Sequence, residues 1–141
     1  MKRLLLGSLG AALGLGLLLT TAENAAAQRK APPGDGYKKV STLLQLPDFL
    51  PGLGTLYADP TTLPAGPFLA YNRQGKLVSS IYMIPLKDMN AQKAFAGLKT
   101  GQGEQVDHVD VVYNAGHPGV AEPHYHIVLW YISAAKAAAL K

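Results

Sequence analysis

All four histidines of the chain, His108, His117, His124 and His126, fall between Val106 and Trp130, in the stretch VDHVDVVYNAGHPGVAEPHYHIVLW. Asp107, Asp110 and Glu122 stand among them. Imidazole and carboxylate are the nitrogen and oxygen donors that zinc, copper, iron and manganese accept, and they also serve acid and base chemistry near neutral pH. The segment is therefore a candidate metal or proton-transfer site. Its candidate ligands are His108, His117, His124, His126 and Glu122, and the cofactor they imply is a divalent metal ion, zinc first.

No competing chemistry is written elsewhere. Ser79 and Ser80 lie in an apolar run without the GxSxG elbow of an acyl-transfer enzyme, and the glycines match neither phosphate-loop spacing. The chain has no cysteine, so thiolate metal sites and disulfides are both excluded.

Two strands and a loop must position the histidines. Residues two apart in a strand share a face, so His124 and His126 project together, as do His108 and Asp110 on the strand before. Antiparallel pairing that brings those faces together gathers up to three imidazoles and a carboxylate. The intervening loop, stiffened by Pro118 and freed by Gly116 and Gly119, then carries His117 over the top.

The rest of the chain supplies the frame. Lys2 and Arg3 precede an apolar run from Leu4 to Leu19 and then Ala25, Ala26 and Ala27, the pattern of a signal peptide over 1–27 that is cleaved before Gln28. A secreted or periplasmic location follows, with no membrane anchor after cleavage; a single uncleaved membrane anchor is the competing reading. The remaining 114 residues comprise a flexible linker, 28–36 (QRKAPPGDG), and one domain over 37–141. Without Lys2, Arg3 and Glu23 the chain keeps 11 basic and 8 acidic residues, about +3, spread without the basic cluster that nucleic acid requires.

Tyr37 to Leu46 is amphipathic and reads equally as a short helix or a strand, ended by Pro47. From Pro47 to Pro67 five prolines preclude long regular elements, leaving an irregular arm with a short extended piece at Thr55 to Ala58. Phe49, Leu50, Leu53, Leu56, Tyr57 and Leu63 make that arm too apolar to stand in solvent, so it packs on the domain or on another copy as a homo-oligomer. Phe68 to Tyr71 and Leu77 to Ile84 read as a hairpin through Asn72-Arg73-Gln74-Gly75. Asp88 is a candidate N-cap for a helix through Leu98, with Met89, Ala94, Phe95 and Leu98 facing the core. Strands over Gln105 to Tyr113 and His124 to Ser133 follow, then a short alanine-rich helix. The fold class is α+β: a small antiparallel sheet of about four strands, one packed helix and a proline-rich irregular arm.

LPDFLPGLGTLYADPTTLPAGPFLAY, GKLVSSIYMIPL and the histidine segment together resemble a small secreted bacterial family catalogued as a domain of unknown function. The likeness spans about Leu46 to Tyr131, and its most specific part runs from His117 to His126. The resemblance implies association with sigma-E envelope-stress regulation in thermophilic bacteria, a mixed α/β fold and self-association; the family has no established enzymatic activity. Against the family's longer His-Pro-Pro-x-Gly-Val-Tyr loop, this chain has the shorter His117-Pro118-Gly119-Val120 form. Three functions fit: a non-catalytic envelope module holding a metal or other small ligand, a metal-dependent enzyme with Glu122 or Asp110 as general base, or a structural, self-associating protein whose histidines are satisfied by backbone and water.

Overall fold

The computed structural model describes residues 29–101 and 104–141. The segment read as a signal peptide, 1–27, lies outside the described residues. Among those described, no helix is long and apolar enough to cross a membrane.

Among the described residues six strands form one antiparallel sheet: β1 (Lys38–Lys39), β2 (Thr55–Ala58), β3 (Phe68–Tyr71), β4 (Leu77–Pro85), β5 (His108–Asn114) and β6 (His124–Trp130), in the order β1-β2-β3-β4-β6-β5. Three short helices accompany it: α1 (Val40–Leu43), α2 (Leu86–Asn90) and α3 (Ala134–Ala138). The sheet is thus larger than the four strands expected. The proline-rich arm supplies β2, which pairs with β3 along its full length, and the amphipathic start of the domain splits into β1 and α1. Prolines tolerate this because β2 itself, TLYA, contains none; Pro60 follows it outside the ladder.

The β3–β4 hairpin closes as its turn residues require. Asn72 Oδ1 accepts from Gln74 N and Lys76 N at 3.1 and 2.9 Å, and Gly75 takes φ +73. Residues 29–31, expected as part of a free linker, are tied to this turn: Ala31 N donates to Gly75 O at 2.8 Å and Leu77 N to Arg29 O at 3.0 Å.

The single packed helix does not form as expected. α2 starts directly after Pro85 and ends at Asn90, because Gln92 enters the left-handed region at φ +56. Met89 and Leu98 are 48% and 38% exposed, so no core-facing stripe exists. Beyond α2 the chain is drawn back over the sheet, where Tyr82 Oη donates to Lys99 O and Gly101 N to Ser80 Oγ. Those anchors hold an irregular path that a helix through Leu98 would not reach.

Two cores result, one on each face. The larger joins Phe68, Ala70, Ile81, Met83, Val128 and Trp130 under α1, the arm and α3. The smaller gathers Leu69, Tyr71 and Leu77 beneath Ala31, Tyr37 and Tyr131. β5 closes one edge, with Val109, Val111, Val112 and Tyr113 each more than half exposed.

Candidate metal centre

The HPGV sequence builds a tight turn. His117 N donates to Val120 O and Val120 N to His117 O, both at 2.9 Å, and the two central residues are Pro118 and Gly119 at φ +89. Proline first and a positive-φ glycine second is the requirement of a type II turn. Gly119 has a second reason to be glycine, since a Cβ there would lie 2.5 Å from Leu44 Cδ1. Gly119→Ala should therefore lower stability by about 1–2 kcal/mol from left-handed backbone strain alone. Urea unfolding checks this, and an unchanged midpoint would show that the turn is not held.

β6 starts at His124, immediately after Pro123, and lies between β4 and β5. This central position buries the His124 ring completely. His126, two residues on, shares its face and pairs with Met83 on β4 and Val112 on β5. The loop brings His117 to them. The three Nε2 atoms stand 3.0 Å (His124 to His126), 3.2 Å (His124 to His117) and 3.4 Å (His117 to His126) apart.

Backbone carbonyls fix two of the rings. His124 Nδ1 donates to Glu122 O at 2.7 Å and His117 Nδ1 to Pro118 O at 3.0 Å. A ring whose Nδ1 carries the proton presents Nε2 as a lone pair, the form that ligates metal, and outer partners of this kind orient metal-bound histidines. Nε2 atoms this close together can share a proton or hold a metal ion. Tetrahedral zinc with bonds of roughly 2.0–2.1 Å spaces its nitrogens about 3.3 Å apart, which matches the observed triangle. The three histidines therefore lie close enough to hold a metal ion. Burial first, then the neighbouring His124 and His117, pushes the His126 pKa down to about 4, so its ring is neutral at physiological pH.

The two other proposed ligands stand elsewhere. His108 shares the face of His124 and His126, as expected, but β5 pairs with β6 in a register that sets it opposite Trp130. That is four residues beyond His126, roughly 13 Å along the strand. There its ring stacks on Trp130 and its Nδ1 donates to Asp107 Oδ1 at 2.8 Å. Asp110 accepts from Trp130 Nε1 at 2.8 Å. The Glu122 carboxylate turns outward to Lys87 Nζ, 2.8 Å away. Glu122 acts at the centre through its main-chain carbonyl, a role that belongs to no particular side chain and leaves no trace in sequence.

Residue reading also missed what the histidines face. A cavity of about 530 Å³ lies between the larger core face and the arm. Its floor is Leu56, Ala58, Phe68, Ile81 and Met83; α1 and the arm roof it with Leu43, Leu44, Leu50, Leu53 and Leu63. His117, His126 and Asn114 line it at the histidine end. The only signal was the arm's hydrophobicity, which demanded a partner without saying which face.

An antiparallel α+β sheet carrying a three-histidine centre at one end of an apolar cavity defines the class of protein. No family model and no curated protein matches the chain. The crystal structure of a hypothetical protein, TTHB210 from Thermus thermophilus, does, with 44% sequence identity and a TM-score of 0.58 over 67% of this chain and 92% of that one. The chain belongs to the same family as that Thermus protein.

Proposed function

We propose that this protein is an exported, non-catalytic module that binds one divalent transition-metal ion, zinc first, through Nε2 of His117, His124 and His126. The observation that carries this reading is the triangle of Nε2 atoms 3.0–3.4 Å on a side, two of them turned inward by carbonyls at their Nδ1 atoms. Three neutral imidazoles and a position left open is a ligand set that zinc accepts. Binding rather than hydrolysis is favoured because the carboxylates proposed as general base, Asp110 and Glu122, are engaged with Trp130 and Lys87. Among the described residues, no Asp or Glu lines the cavity. Export follows from the N-terminal charge and hydropathy pattern, and a role in the envelope-stress response from the family resemblance.

The test is elemental analysis of tag-free protein after zinc loading and desalting. One zinc per chain is expected, and none in the double variant His124→Ala with His126→Ala. His108→Ala should keep its full zinc complement. Equal metal content in the double variant and the parent would sink the assignment.

A further inference from the structure

The cavity and the centre have opposite characters, and together they specify a ligand. Three neutral imidazoles leave a bound dication its full charge, and among the described residues no charged side chain lines the cavity to offset it. A charge in surroundings of low dielectric draws an anion far more strongly than one in water. An anionic oxygen donor in the fourth position offsets that charge, where a neutral water leaves it uncompensated. Asn114 faces His124 across the β5–β6 ladder and also lines the cavity. Its Oδ1 is occupied by Gly116 N at 2.8 Å, which leaves its amide NH₂ to donate to a second oxygen of that anion.

Away from this end the walls are leucine, proline, phenylalanine, isoleucine and methionine side chains, which offer a ligand no polar partner. The volume, about 530 Å³, is that of a small-molecule site. Whatever fills it is apolar along its length and anionic at one end. Leu43 and Leu63, both 42% exposed, mark where the cavity meets solvent.

We infer that the centre takes as its fourth ligand the carboxylate of a free fatty acid whose hydrocarbon tail fills the cavity. This rests on the metal reading above and adds the ligand class to it. The carboxylate lone pair forms the bond to the ion, the second oxygen receives the Asn114 NH₂, and the tail replaces water along the leucine walls.

The experiment is calorimetric titration of the full, tag-free chain with laurate below its micellar range, with zinc-loaded protein and with protein stripped by a chelator. Methyl laurate serves as the neutral control with the same tail. Zinc-loaded protein should bind laurate at least tenfold more tightly than either stripped protein binds laurate or loaded protein binds the ester. Leu63→Glu, at the exposed mouth, should weaken laurate at least tenfold while zinc content stays at one per chain. Laurate binding that ignores zinc, ester binding equal to acid binding, or no laurate binding by zinc-loaded protein would each overturn the inference while leaving the metal site standing. Failure to retain zinc at all would instead remove the metal reading, and this inference with it.

Discussion

Zinc at about a hundredfold over its dissociation constant should raise the thermal unfolding midpoint by roughly 10 °C, and a chelator should abolish the whole increment. An ion that binds only the folded state at that excess contributes about 2.7 kcal/mol, and in a domain near a hundred residues each kcal/mol moves the midpoint by about 4 °C or more. His124→Ala should lose the response. That ring is fully buried, hydrogen-bonded through Nδ1 to Glu122 O, and nearest to both other Nε2 atoms, so neither remaining histidine can take its place. Without metal the variant should still be less stable than the parent by about 1–3 kcal/mol, from the lost hydrogen bond to Glu122 O and the space left by a fully buried ring. The decisive quantity is therefore the zinc increment of each protein, measured by calorimetry with and without chelator, and not the absolute midpoint. An increment of similar size in His124→Ala would place the ion somewhere else.

How much of this was legible beforehand depended on whether the information was local. His124 and His126 share a face because strand periodicity leaves no other choice. His117 reaches them because proline followed by glycine at its turn permits one tight geometry, seen in the paired 2.9 Å bonds to Val120. Asn72 to Gly75 specified its hairpin in the same way. Each case is settled within a few residues.

Long-range register was not available in this sense. Strand parity put His108 and Asp110 on the correct face, but only the pairing of His108 with Trp130 and of Asn114 with His124 decides which end of that face they occupy. A shift along a ladder in steps of two preserves every hydrophobic alternation, so pattern alone does not exclude it. The missing helix over 88–98 has a related cause. Its apolar spacing is real, but Tyr82 and Ser80 hold residues 99–101 against the sheet, and those tertiary bonds outweigh a helix propensity worth only tenths of a kcal/mol per residue. The cavity demanded still more, since it exists only once an arm from 47–67 and a turn from 117–120 have met over the same strands.

Acid should weaken both the fold and the metal site, within a defined window. The His126 ring is neutral in the folded protein down to about pH 4, against 6.5 for an unhindered histidine, because burial and the adjacent His124 and His117 disfavour its charge. Between those values the unfolded chain binds a proton at this position that the folded chain refuses, so stability rises with pH across the window. The contribution is fully present above about pH 6.5 and is lost as pH falls toward 4, below which both states are protonated and no further loss occurs. The gap corresponds to roughly 3 kcal/mol at most, and solvent reaching the ring lowers this to about 2. Zinc affinity should fall over the same interval, since the ion and the proton compete for one nitrogen. Urea unfolding of metal-free protein at about pH 7 and about pH 4.5 measures the first effect. His126→Gln, which keeps a polar group of similar reach but cannot titrate, should flatten the dependence by that amount. Equal slopes in parent and variant would mean that the ring is not held neutral among its neighbours, and the close packing of the three imidazoles would lose its principal chemical consequence.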